Sequence, residues 1–381
     1  MKTTILSLLF FFCLVTGPAR AGLSFSKAIN APSDARYKLD AGVLDDVARA
    51  KAILRAGSGG QLLGKKVSVT DAKGRVRTVS VSKVECFDVL LAVKRTDSSM
   101  IEVIRFDRVT RRVTPAGFDL YWIKFNGVNT PILVSSPKNY IVLAMKRVVG
   151  GGKKGPFREE VYSSFNSDLD LPAVRRRGYG YLERVILEAR LELEKKKVSS
   201  RAFPGKLVSS VAPFDDAFRL ALIEHIDPSR LATESIDMLV SEVLVVLALN
   251  QGEAYKYSVS KASARGLFQF IPATYERMRA WYPGAGLDKD FKSGMADHVN
   301  AAKAALLLFD ADLSHFPKKE RGALYTAAER LGAYLAAAYN GGANRARRAF
   351  GGLYVELHHL HPETQWYMEK FYLTKELLAG I

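Results

Sequence analysis

The chain is poor in cysteine: only Cys13 and Cys86 occur in 381 residues. Cys13 falls within a segment that reads as a secretory signal. Lys2 is followed by the apolar run of residues 5–15 and by Ala19-Arg20-Ala21 before Gly22, a small-x-small cleavage pattern. A mature chain starting at Gly22 holds Cys86 alone, which excludes an internal disulfide. Phe10-Phe11-Phe12, just before Cys13, are not the small residues of a lipoprotein processing site. No later stretch reaches the ~18–20 uninterrupted apolar residues of a membrane-spanning helix. A soluble exported product is therefore expected, periplasmic or associated with the cell envelope, with an uncleaved signal as the one route to anchoring. Internal repeats, low-complexity tracts and a Gly-x-Ser-x-Gly nucleophile elbow are also missing, the last excluding that form of Ser-His-Asp chemistry.

Acidic charge is the next shortage. Lys and Arg number 56 against 39 Asp and Glu, a formal charge of +17, and loss of Lys2 and Arg20 with the signal lowers it by two. An exported basic chain meets anionic envelope polymers and lipid headgroups rather than nucleic acid. With 48% hydrophobic residues the chain is neither a small stapled scaffold nor a disordered tail, and its length suits roughly two to three domains.

Local periodicity divides the chain. Residues 22–60 contain a helix near 41–55, with Val43, Val47, Ala50 and Leu54 at helical spacing before Gly57-Ser58-Gly59-Gly60. Residues 61–150 switch to short alternating β segments such as 65–70, 75–81 and 100–106, with turn signals such as Asp71-Ala72-Lys73-Gly74. Their polar alternation is basic and reads first as a solvated sheet face, second as a polyanion-binding face. Gly150-Gly151-Gly152-Lys153-Lys154-Gly155-Pro156 marks a boundary, and 151–234 is a linker and helical connector with helices near 181–196 and 215–226. Residues 235–250 are apolar on most sides, the mark of a core helix. The expected fold class is α+β multidomain: a signal at 1–21, the helical segment 22–60, the β domain 61–150, the connector, and an all-α domain at 235–381.

The informative block begins where that core helix ends. Glu253, at the end of an apolar helix and next to Gly252, could be desolvated enough to keep its proton, as a general acid for glycosidic cleavage must. Gly266 permits close backbone approach to a ligand, Gln269 offers donors and acceptors, and Pro272 suits a helix start. Tyr339 sits at the end of the Ala-rich helix 331–339, before Gly341-Gly342. Other candidates are weaker. His358, His359 and His361 read as surface histidines without a metal, and Asp297-His298 and Glu224-His225 are adjacent on helices and so do not face each other. Trp281, Tyr282, Tyr255 and Tyr257 are sugar-stacking candidates that packing would equally explain.

Ser258-Val259-Ser260, Ala264-Arg265-Gly266-Leu267-Phe268-Gln269-Phe270-Ile271-Pro272-Ala273-Thr274-Tyr275 and Ala337-Ala338-Tyr339-Asn340-Gly341-Gly342 occur in that order, with a weaker Pro362–Tyr367 tail. Across about 235–375 the chain resembles the catalytic domain of soluble-type lytic transglycosylases, which is similar to goose-type lysozyme. The resemblance implies a lysozyme-like helical fold, peptidoglycan strands as substrate and no cofactor. It also implies cleavage of the β-1,4 bond between N-acetylmuramic acid and N-acetylglucosamine, leaving a 1,6-anhydro sugar. One Glu acts there as acid and then base, Tyr339 assists at the scissile sugar, and Gln251, Ser260, Gly266, Gln269 and Asn340 line the cleft. The family's Glu lies fifteen residues before the Gly of Gly-Leu-x-Gln, and that position is Gln251, which has no ionisable proton. Glu253 is the expected replacement if the helix end is re-registered at Gly252, because two helical residues rotate a side chain by about 200°. It should then point into a cleft shared with Gln269 and Tyr339. The alternative is a catalytically silent peptidoglycan-binding protein, and a third reading has the β domain dock to anionic wall polymer.

Overall fold

In a computed structural model of the chain, residues 42–57, 67–70, 74–79, 88–108, 110–122, 129–150 and 157–378 are described. The signal-like segment, both cysteines and most of the Gly150–Pro156 run lie outside them. Helix α1 (Val43–Ala56) precedes β1 (Val67–Thr70), β2 (Val76–Val79), β3 (Val89–Arg95), β4 (Ile101–Phe106), β5 (Val113–Thr114), β6 (Asp119–Tyr121), β7 (Leu133–Ser136), β8 (Tyr140–Val149) and β9 (Arg158–Tyr162). Helices α2 (Pro172–Lys195), α3 (Val208–Val211), α4 (Phe214–Ile223) and α5 (Ile236–Asn250) follow. The chain ends with α6 (Pro272–Trp281), α7 (Phe291–Ala296), α8 (His298–Ser314), α9 (Lys318–Thr326), α10 (Ala328–Gly341), α11 (Ala343–Phe350) and α12 (Pro362–Leu378). No helix among the described residues is long and apolar enough to cross a membrane.

A five-stranded antiparallel sheet runs in the order β5-β4-β3-β8-β9, and β1-β2 and β6-β7 form two-stranded pairs. Alternation along β3 sends Leu90 and Ala92 into one core with Val43, Val47, Ala50 and Leu54 of α1. Val89, Leu91 and Val93 enter a second core with Val134 of β7 and Phe118. A register shift beside Ala92 and Val93 lets Leu143 and Ala144, adjacent on β8, both reach the α1 side. The expected solvated basic face is thus corrected at the sheet's centre. Both faces there are covered, Lys94 and Lys146 are buried, and they pair with Asp46 and Glu159, because a buried ammonium needs a carboxylate.

Helix α5 is apolar nearly all round because two cores share it. Leu239, Val240, Val243, Leu244 and Leu247 enter the large helical core, and Val245, Ala248 and Leu249 enter the core beneath the sheet and α1. Its start is capped by the Ser235 hydroxyl, which accepts from the Met238 amide. Its end is held by Asn250, whose side chain donates to Ser163 O (2.7 Å) and accepts from Ser163 N (2.9 Å), and by Lys51 Nζ, which donates to Leu249 O (2.5 Å). Helix α2 crosses α5 at Gly178, where a Cβ would stand 1.9 Å from Leu244 O. The exit of α5 into the motif loop is therefore braced from both sides.

Candidate active site

The segment that leaves α5 is a strained turn rather than a continued helix. Gln251 (φ 46°), Tyr255 (φ 55°), Ser263 (φ 65°) and Gln269 (φ 44°) are four of the six non-glycine residues with positive φ among those described. Each such conformation costs of order 1–3 kcal/mol and persists only where surroundings enforce it. His298 does part of this enforcing: its Nε2–H donates to Ala254 O (2.7 Å) while Nδ1 accepts from Tyr181 Oη (2.8 Å). Burial lowers the His298 pKa, so the ring is neutral, as that pair of bonds requires.

The Gly-Leu-Phe-Gln loop closes on itself. Gln269 Nε2 donates to Gly266 O (2.8 Å) and to Ser258 Oγ (3.3 Å), and Tyr339 Oη donates to Phe268 O (2.5 Å), pinning the loop to the end of α10. Asn340 Oδ1 accepts from Thr364 Oγ1 of α12 (2.8 Å). Gly266 has φ +72°, and a Cβ there would lie 2.2 Å from Met295 O, so the close approach that its size permits is made by the protein's own backbone. Ser260 is exposed and makes a local turn, its Oγ accepting from Ala264 N (3.1 Å).

Two cavities meet at Asn340. The first, about 420 Å³, is lined among others by Glu224, His225, Glu242, Tyr255, Ser258, Asn340 and Tyr367. The second, about 570 Å³, is lined among others by Ile271, Trp281, Asp312, His315, Tyr339, Asn340 and Arg345. Ser258, Tyr339 and Asn340 are thus brought to cavity walls, with Gln269 bonded to Ser258. Glu253 and Gln251 are not brought there. The Glu253 side chain is 53% exposed and pairs with Lys256 Nζ (2.8 Å), and Gln251 is exposed on the same turn. The re-registering residue is Gln251, with its positive φ, rather than Gly252, and the turn leaves Glu253 in solvent.

Glu224 is the group that sequence reasoning passed over. It caps the end of α4, half-buried, and its carboxylate oxygen accepts from Tyr367 Oη (2.6 Å). Burial outweighs that hydrogen bond and nearby Lys370 and pushes the carboxyl up to about 7. Neighbouring His225 is driven down to about 3 by burial, and its Nε2–H donates to Leu267 O (2.9 Å) while its ring stacks on Tyr255 at 3.5 Å. The pair does not act side by side, yet both residues line the same cavity. Of the other aromatics, Tyr282 Oη donates to buried Asp310 (2.7 Å), Tyr257 lies under Arg158, and Trp281 in the second cavity lies under Arg201 at 4.8 Å. Glu356, His358 and His359 have potential metal-ligand atoms within 4.8 Å of one another on an exposed turn that borders neither cavity described above.

In this helical region the end of the Ala-Tyr-Asn helix borders two adjoining cavities and is pinned to the Gly-Leu-Phe-Gln loop. Residues 232–356 match the family model described as the transglycosylase SLT domain. The C-terminal region therefore carries an SLT domain, preceded by the small antiparallel sheet region, and this domain points to lytic transglycosylase-type activity on peptidoglycan. No curated protein and no solved structure matches the chain. Glu224 precedes the matched segment, and Glu363, Tyr367 and Lys370 follow it, so part of the first cavity's wall lies outside the family match.

Proposed function

We propose that the chain is an exported lytic transglycosylase that cleaves the β-1,4 bond between N-acetylmuramic acid and N-acetylglucosamine and leaves a 1,6-anhydro end. The observation that carries this reading is the convergence of Ser258, Tyr339 and Asn340 at cavity walls inside the matched segment, with Gln269 bonded to Ser258 behind them. Amide, hydroxyl and phenol groups of this kind suit the hydroxyl and acetamido groups of a glycan strand. The chemistry needs one carboxylic acid to protonate the leaving oxygen and then to accept the proton of the muramic 6-hydroxyl as it closes on C1. No metal or organic cofactor enters that scheme. Export through residues 1–21 would bring the protein to its polymer, and the excess of Lys and Arg that remains without that segment would favour anionic envelope surfaces.

The test is mass analysis of soluble products after purified peptidoglycan is incubated with the chain. Anhydro-muropeptides are expected. Hydrolysed reducing ends would replace the anhydro mechanism with a lysozyme-like one. No released sugar, with the protein sedimenting with the wall, would leave a binding protein.

A further inference from the structure

The proposed chemistry requires a carboxyl that is protonated before bond cleavage and supported as a carboxylate afterwards. The family's acid position is an amide, Gln251, and Glu253 is paired with Lys256 in solvent. Among the carboxylates that line the first cavity, Glu242 is paired with Arg230 Nη2 (2.8 Å), Glu363 is exposed, and Asp227 caps Ser229 of its own turn. Glu224 alone among them combines burial with a neutral donor, Tyr367 Oη, on its oxygen.

We infer that Glu224 is the proton-carrying residue of this site, a role moved from the end of α5 to the end of α4. The inference rests on the transglycosylase reading. Its geometry is held from three directions. Lys370 Nζ donates to Ile223 O (2.9 Å) and Ile226 O (3.1 Å), fixing the backbone on both sides of Glu224. His225 ties the same turn to Leu267 in the Gly-Leu-Phe-Gln loop. Tyr367 of α12 aims its hydroxyl at the carboxylate. In the first step the Glu224 proton passes to the glycosidic oxygen and the bond from C1 to that oxygen breaks, its electron pair staying on the leaving oxygen. In the second, the muramic 6-oxygen bonds to C1 and its proton returns to Glu224, so no co-reactant is consumed. The Tyr367 phenol supports the carboxylate between the two steps. Asp312 in the second cavity is also buried, but its Oδ2 has no hydrogen-bond partner, so that oxygen would carry charge with only the nearby Arg277 to offset it.

The test compares anhydro-muropeptide release by the full chain and by its Glu224→Gln, Glu253→Gln, Asp312→Asn and Tyr367→Phe variants, with thermal melting and wall sedimentation as controls. Glu224→Gln is expected to lose release by about 10²- to 10⁴-fold while still sedimenting with peptidoglycan. Tyr367→Phe should shift the alkaline limb of the pH profile upward, because removal of the phenol donor disfavours the carboxylate. That shift keeps the inference testable if Glu224→Gln fails to fold, and its absence counts against the inference. Undiminished release by a folded Glu224→Gln overturns the assignment and leaves the transglycosylase reading standing, as does loss confined to Glu253→Gln or Asp312→Asn. No release by the parent chain overturns both.

Discussion

Asp312 and Glu224 occupy cavities on either side of Asn340, and burial raises both carboxyls to about 7. For Asp312 the charge of Arg277 offsets that burial only in part and no hydrogen bond reaches Oδ2, whereas Glu224 has Tyr367. The pH consequence for Asp312 follows from linkage. Its folded pKa lies above its unfolded one, so the folded state is undisturbed below about pH 4 and loses stability as pH rises toward 7, where the buried carboxyl ionises. Asp312→Asn removes that ionisation. Urea melts at pH 5 and pH 8 should show the variant gaining on the parent with rising pH, by on the order of 3 kcal/mol at most. A difference that is flat with pH would mean that the carboxyl titrates normally in the fold. Glu224 carries the same sign, so its place in the fold costs stability at the pH where a protonated acid is useful, a pattern that favours function over packing.

At the scale of elements, the bracing of α5 is the feature on which the site depends. Helix α2 meets it at Gly178, where the backbone of Leu244 occupies the place of a side chain. Gly178→Ala must push the two helices apart, and overpacking of this kind costs about 1–3 kcal/mol. Thermal melting should register a fall of several degrees, and an unchanged melting temperature would show that the contact yields without cost. Much at this scale was legible in the sequence. The four apolar positions of α1, the apolar run of α5 and Pro272 at the start of α6 all act locally, through periodicity and helix-start chemistry, and the structure places them accordingly. Glu224 was not legible, because its meaning depends on Tyr367, 143 residues away, and on the docking of α12. The solvent position of Glu253 was equally hidden: it follows from the positive φ of Gln251, a strain that sequence pattern does not encode. The motif order revealed which loops meet, but not which carboxylate they enclose.

On the scale of the whole molecule, the N-terminal half and the SLT-bearing half share one helix. Val245, Ala248 and Leu249 of α5 pack with α1, β3 and β8, and Lys51 and Ser163 bind its last residues just before the strained turn. Separating the halves would expose that apolar face and leave Leu249 O and Asn250 without these partners. A chain cut to begin at residue 157 keeps Ser163 but loses α1 and most of the sheet. Uncovering core residues such as these costs about 25 cal/mol for each Å² of apolar surface returned to water, with a further penalty for the unpaired Leu249 carbonyl. The truncated protein is expected to melt at a lower temperature than the full chain and to bind a hydrophobic dye before the main transition. Loss of wall cleavage on such truncation would then report the loosening of α5 and the Gln251 turn, not the removal of a docking surface. Substitutions confined to exposed residues of the sheet region separate the two causes, since they leave the α5 contacts in place: reduced sedimentation with the wall at an unchanged melting temperature would assign the sheet region a binding role of its own. A truncated chain that melts like the parent would instead show that the helical half is stable alone and that the shared core contributes little to holding the site.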